Sequence, residues 1–163
     1  MNLAQVVREA AADHAVTDRV VEITAPSEAV VICDREYVRR IVDNLIDNAF
    51  KYGRPPVRIE VRANEREVTL SVLDAGRGID VADRERVFDR FQRLDTINGH
   101  GLGLGLSVVQ GLVEAMGGDV RVDEAPEGGA AFRIRFPVPE PSGVEEALAE
   151  TLHVRRPSQT RAG

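Results

Sequence analysis

The chain is 163 residues long, 43% apolar and 29% charged, with a formal net charge of −6. That is enough for one domain with a real core; the acidic balance argues against general nucleic-acid binding, and no apolar run reaches bilayer-spanning length. Arg8, Glu9 and Asp13 interrupt the apolar pattern of the N-terminus, which excludes a secretory signal, and the lone Cys33 beside Val30, Val31 and Ile32 reads as buried packing in a reducing cytosol.

Leu3, Val6, Val7 and Ala10 have helical spacing and predict a helix over 3–12. Two short strands follow around 20–24 and 29–33, with Ala25-Pro26-Ser27 as the turn between them. Asp34 is the predicted N-cap of a long helix over 35–52, whose Val38, Ile41, Val42, Leu45, Ile46 and Ala49 form a core-facing stripe. Gly53 and Pro55-Pro56 end it. Val57, Ile59 and Val61, then Val68, Leu70 and Val72, alternate with polar residues and predict a hairpin through Asn64-Glu65-Arg66. A short helix is expected around 82–88, a loop from Phe91 to Gly99, and a second long helix over roughly 103–116, stopped by Gly117-Gly118. Strands around 119–123 and 131–136, joined by a Pro126–Gly129 turn, close the domain. The order predicts an α+β two-layer sandwich, a mixed and mostly antiparallel sheet with helices on one face. Residues 1–137 form the expected domain; 138–163 form a proline-rich tail, with one or two helical turns over 144–152 and disorder over the last ten residues.

Four constellations carry chemistry. Asn44, Asn48 and Lys51 share a stripe of the 35–52 helix, with Asp47 nearby and Tyr52 at its end. Asparagine is a poor helix former, so two of them one turn apart suggest a task. An amide oxygen is a neutral hard ligand suited to Mg²⁺, and an ammonium suits phosphate; of the 21 basic residues only Lys51 is lysine. Against this stands the ordinary reading, a solvated helix face. Asp74-Ala75-Gly76-Arg77-Gly78 follows a strand: a carboxylate able to accept from an amine, and glycines that let backbone approach a flat ligand, or simply a turn. Gly99 to Ser107 holds glycines at 99, 101, 103 and 105 ahead of a helix, an arrangement suited to an anion. Its spacing matches neither the Walker A loop nor the dinucleotide fingerprint, and its alternating leucines would anchor the loop in a core. Finally, Val87 to Arg93 combines apolar anchors with Arg90 and Arg93, able to meet phosphate bidentately or to pair with Asp89 and Asp95.

In this order the four segments resemble the catalytic ATP-binding domain of bacterial sensor histidine kinases, within the ATPase superfamily of gyrase, HSP90 and MutL. The likeness covers about residues 1–137. Asn44 to Tyr52 resembles the N box, Asp74 to Ile79 the first glycine box, Val87 to Arg93 the F box, and Gly101 to Ser107 the second glycine box. Val113 to Gly118 and Gly128 to Phe132 are similar to the family's closing helix and strand. The resemblance implies the Bergerat ATP-binding fold and a protein-histidine kinase using Mg-ATP. Asp74 would accept the adenine amino group, with Gly76, Gly78 and Ile79 beside the base and Tyr52 packed on it. Asn48 would ligate Mg²⁺, and Asn44 and Lys51 would support the phosphates. Gly101, Leu102, Gly103, Leu104, Gly105 and Leu106 would line them, with Phe91 also at the nucleotide. Arg90 and Arg93 would meet the γ-phosphate or the partner. Catalysis would be mostly positioning and charge stabilisation.

Leu102 and Ala130 stand where the family often has a hydroxyl residue, and the lid between Arg93 and Gly101 is short. His14, His100 and His153 do not sit in a phosphoacceptor box, so the acceptor is expected on a dimerisation domain outside this chain, with relay to a response regulator. The chain is thus expected to be the cytosolic part of a larger, membrane-anchored kinase, itself touching neither nucleic acid nor membrane, and to turn over little alone. The alternatives are a stand-alone serine kinase of the anti-sigma-factor type, or a non-catalytic interaction module that has lost ATP.

Overall fold

The computed structural model describes residues 1–15, 19–90 and 103–138. The elements are α1 (Leu3–Ala15), β1 (Val21–Thr24), α2 (Arg35–Tyr52), β2 (Val57–Ala63), β3 (Glu67–Leu73), α3 (Gly105–Ala115), β4 (Asp119–Glu124) and β5 (Ala130–Pro137). The sheet order is β1-β2-β3-β5-β4; β1 runs parallel to β2 and every other pair is antiparallel. The helices cover one face: α1 lies on β1 and β2, α2 on β2 and β3, α3 on β4, and both α1 and α3 pack on α2. This is the expected α+β sandwich.

The core follows from the strand alternation. Val57, Ile59 and Val61, then Val68, Leu70 and Val72, then Phe132, Ile134 and Phe136, turn to the helices and are buried against the α2 stripe Val38, Ile41, Val42, Leu45, Ile46 and Ala49. Asp34 caps α2 as expected, its Oδ1 accepting from the backbone N–H of Glu36 at 2.8 Å and of Tyr37 at 3.2 Å. Asp34→Ala is expected to cost about 1 kcal/mol, and to lower the midpoint of thermal unfolding by about 2–4 °C; circular dichroism melting checks this. No loss would mean that the cap is dispensable under the tertiary packing of α2.

A ladder of ion pairs runs along the α1–α2 seam. Glu9 pairs with Arg35 and Asp13 with Arg39. His14 lies 3.2 Å from Asp43, and Arg19, beyond α1, bonds Asp47 at 2.8 Å with its guanidinium 5.3 Å from the centre of the Phe50 ring.

Four sequence expectations are corrected. Residues 29–33 form no sheet strand. Their in-and-out alternation is real, with Ala29 and Val31 buried and Val30 and Ile32 exposed, but the backbone bonds the start of the chain instead. Leu3 N–H donates to Ala29 O at 2.8 Å, Val31 N–H to Met1 O at 3.0 Å, and among the described residues the only strand-type pairing there is the Asn2–Val30 bridge. Cys33 is half-buried, not fully so, and burial pushes its thiol pKa up. The helix expected at 82–88 is two 3₁₀ turns, Val81–Asp83 and Arg86–Phe88. The second turn buries Val87 and Phe88, the latter edge-on to Phe132 with ring centres 6.2 Å apart. The last helix starts at Gly105 rather than 103, because Gly103 has φ +67° and a right-handed helix cannot include it. The expected loop at 91–99 and the features of the tail lie outside the described residues, and among the described residues no helix is long and apolar enough to cross a membrane.

Candidate functional site

β3 ends by delivering Asp74, a buried carboxylate only 7% exposed. Its Oδ1 accepts from Gly76 N–H at 2.7 Å and from Ala130 N–H at 3.4 Å, while its own N–H donates to Ala130 O at 3.0 Å. Burial raises its pKa above the ordinary carboxylate value; the backbone donors, Gly76 first and then Ala130, pull the other way.

Glycines wrap this carboxylate. A Cβ on Gly53 would lie 2.4 Å from Asp74 Cγ, one on Gly76 2.9 Å from Asp74 Oδ1, and one on Gly129 2.0 Å from the Asp74 backbone oxygen. Gly53 has φ −93°, which any residue can adopt, so its glycine character serves Asp74 and not the helix end. The sequence suggested that Gly53 merely stops α2. The roles of Gly53, Gly129 and the Ala130 N–H escaped it because these groups meet Asp74 through tertiary packing; the Gly128-Gly129 pair at the start of a strand was the one available signal.

The second half of the site is where α2 meets α3. Asn44 Nδ2 donates to Arg40 O, one turn back, at 2.7 Å. That bond fixes the amide so that its Oδ1 lies 3.0 Å from where a Cβ on Gly105 would sit. Asn44 is thereby held against the first turn of α3, whose leading N–H groups have no partner within the helix. Leu104 precedes that turn, its carbonyl accepting from Val108 N–H at 3.0 Å and Ser107 Oγ at 2.9 Å. Leu106 packs partly buried on the core.

Asn48 is half-buried on the same helix as Asn44. Lys51 and Tyr52 are exposed at the end of α2, the Lys51 Nζ 5.0 Å from the centre of the Tyr52 ring. Gly78, with φ +73°, lies beside the β4–β5 turn, its would-be Cβ 3.0 Å from Gly128 O. Ile79 packs against the core and its carbonyl accepts from Arg84 Nε at 3.2 Å. Arg90 is exposed. Phe91, Arg93, Gly101 and Leu102, named from the sequence, lie outside the described residues.

The chemistry this arrangement offers is bipolar. One end is a desolvated acceptor beside small backbone, suited to a planar group with an amine. The other has carboxamides, an ammonium and helix-start amides, suited to an anion. Among the described residues no three His, Cys, Asp or Glu side chains group as a metal site. The donor set fits a hard cation that takes one amide oxygen and finds its other ligands on a bound phosphate and water, the usual habit of Mg²⁺.

Comparison with known proteins places the chain among relatives. Residues 33–140 match the family described as histidine kinase-, DNA gyrase B-, and HSP90-like ATPase. The chain is 33% identical over 147 residues to the sensor histidine kinase component HK1 of Mycobacterium tuberculosis, covering 90% of this chain and 88% of that one. Other curated sensor kinases are much longer, and the chain spans 37% of one and 13% of another. Among solved structures, the ATP-binding domain of PrrB from Mycobacterium tuberculosis superposes with a TM-score of 0.73 at 26% identity, covering 86% of this chain and 96% of that one. Full-length ShkA in complex with AMPPNP gives 0.72 at 28% identity, covering 84% of this chain and 30% of that one.

Proposed function

We propose a specific task for a chain that belongs to the histidine kinase-, DNA gyrase B- and HSP90-like ATPase family, as a catalytic ATP-binding domain of the sensor histidine kinase type. It binds Mg-ATP and donates the γ-phosphoryl group to a histidine on a dimerisation and phosphoacceptor domain, for relay to a response regulator. The observation that carries the adenine half is Asp74: a buried carboxylate, ringed by glycines, with its ionised form disfavoured by burial. Such a group gains most from a ligand amine that donates to it. The glycines let backbone pack directly on this carboxylate with no side chain between, and Gly78 and Ile79 would continue that wall beside the base.

The phosphate half rests on Asn44 held against Gly105. The triphosphate would lie along Asn44, Asn48 and Lys51 and over the start of α3, reached by Gly101 to Leu106. Asn48 would hold the Mg²⁺, which, when bound, neutralises charge on the phosphate oxygens. Tyr52 would pack on the base, Phe91 would lie at the nucleotide, and Arg90 and Arg93 would face the γ-phosphate or the acceptor domain. The protein's contribution is to orient the nucleotide and to supply charge complementarity. Residues 1–137 act as the working unit, in the cytosolic portion of a larger kinase.

Two measurements test this. Asn48→Ala is expected to weaken ATP binding about ten-fold in magnesium, and much less in EDTA, by isothermal titration; equal losses in both would detach Asn48 from the metal. Mixing the chain with a histidine-bearing helical hairpin domain and ATP labelled at the γ-position should produce acid-labile phosphate on the hairpin. Phosphoserine on a partner protein would indicate the serine-kinase alternative, and no magnesium-dependent nucleotide binding would indicate a non-catalytic module.

A further inference from the structure

The sheet face turned away from the helices carries an apolar cluster of its own. Leu73, Ala125 and Ala131 are buried together, separate from the main core. Register explains where they lie. Glu22 pairs with Arg58, Arg58 with Leu73, Leu73 with Ala131, and Ala131 with Asp123, so these residues form one row across the sheet on the side opposite Val57 and Ile59. An uncovered sheet face is ordinarily polar, so three buried apolar residues there require a cover.

Arg58 and the β4–β5 turn provide it. Arg58 Nη1 donates to Glu127 Oε1 at 2.7 Å, joining positions 69 apart in the chain. The guanidinium reaches Glu127 from β2, past the two strands that hold Leu73 and Ala131. The turn itself is closed by Ala125 N–H donating to Gly129 O at 2.7 Å and Gly128 N–H to Ala125 O at 2.9 Å. It therefore moves as a unit, and its last residue lies against Asp74. Gly129 touches the Asp74 backbone and Ala130 N–H donates to Asp74 Oδ1. Asp74 in turn follows Leu73 directly.

We propose that Arg58 and Glu127 are positioning residues for the nucleotide base: their ion pair pins the β4–β5 turn over Leu73 and Ala131 and so sets the aim of the Asp74 carboxylate through Gly129 and Ala130. The proposal rests on the reading of Asp74 as the adenine acceptor. It carries a sign of its own, because Arg58 also lies among Glu22 and Glu60. Removing Arg58 takes away the cation that Glu127 shares with Glu22 and with Glu60, the last also bonded by Arg62, and leaves the turn's carboxylate repelled by that acidic surround; removing Glu127 only releases the turn.

The full chain tests this with four variants: Arg58→Gln, Glu127→Gln, their combination, and Asp74→Asn. ATP and inosine triphosphate, which lacks the 6-amino group, are titrated in magnesium, and amide signals are followed by NMR without nucleotide. Glu127→Gln is expected to weaken ATP binding about three-fold, and Arg58→Gln more, as for coupled neighbours. Inosine triphosphate should be little affected, and the Ala130 and Gly76 amide signals should move. The double variant should bind ATP better than Arg58→Gln alone, a recovery that simple loss of stability would not give. Unmoved Ala130 and Gly76 signals with an unchanged ATP-to-inosine-triphosphate ratio would overturn the proposal alone, provided Asp74→Asn still loses that preference. A wild-type chain without preference for ATP, or an Asp74→Asn chain that keeps it, would overturn the underlying reading as well.

Discussion

Asp74→Asn is expected to weaken Mg-ATP binding by about 10- to 100-fold while leaving the fold at least as stable. The first part follows from the bond lost: a hydrogen bond to a charged acceptor contributes about 1.5–3 kcal/mol, which is that range in affinity. The second follows from the direction of the pKa. Burial raises the Asp74 pKa above its ordinary value of 3.8, so the folded chain holds this proton more tightly than the unfolded one does. Stability contributed by this group is therefore highest below the unfolded pKa, falls as pH rises through the folded pKa, and is flat above it. Asparagine removes the ionisable group and retains an oxygen for Gly76 and Ala130. Thermal melts of both proteins between about pH 3.5 and 7 should show wild type losing ground to the variant as pH rises. Isothermal titration near neutral pH should show the affinity loss. Equal ATP affinity would remove Asp74 from the base site, and a lower melting point at neutral pH would mean that its charge stabilises the apo fold.

Gly129→Ala is expected to destabilise by about 2–3 kcal/mol, in the manner of an overpacked core, and to lower the melting midpoint by roughly 5–10 °C. Its Cβ would fall 2.0 Å from Asp74 O, 2.5 Å from Asp74 C and 2.7 Å from Asp74 Oδ1. The first two are backbone atoms, and the third is a carboxylate oxygen held by the Gly76 and Ala130 N–H groups. Relief requires β3 and β5 to part at the Asp74–Ala130 bond. The neighbouring Gly128 is an internal control. It has φ +91° and open space around a would-be Cβ, so Gly128→Ala costs only the left-handed backbone, about 1–2 kcal/mol. Urea or thermal unfolding of the two variants ranks them; a larger loss at Gly128 would refute the packing argument.

Most of this fold was legible because it is written locally. The α2 stripe, the Asp34 cap and the alternation of β2, β3 and β5 are set by neighbours in sequence, and each element formed where its pattern placed it. The strand misread at 29–33 arose where a distant backbone intervened. Val30 and Ile32 alternate as a strand should, but the adjacent hydrogen bonds go to Met1 and Leu3. The site was legible in its residue types, since Asn44 and Asp74 are poor choices for structure alone. What the sequence did not disclose is the packing that prepares Asp74, because Gly53 reaches it from the end of α2, and Gly129 and Ala130 from the start of β5.

The ladder between α1 and α2 has a consequence for how these helices can slide. Along α2 its charges come in the order Arg35, Arg39, Asp43, Asp47, two positive and then two negative, at steps of one turn. A slip of α1 by one rung one way brings Asp13 opposite Asp43; a slip the other way brings His14 opposite Arg39. The first displacement sets acid against acid, and the second takes His14 away from its Asp43 partner. The blocked charge order thus acts as a two-sided detent: the helix carrying Asn44 and Asn48 keeps a single axial setting against its neighbour, even though each rung alone is weak.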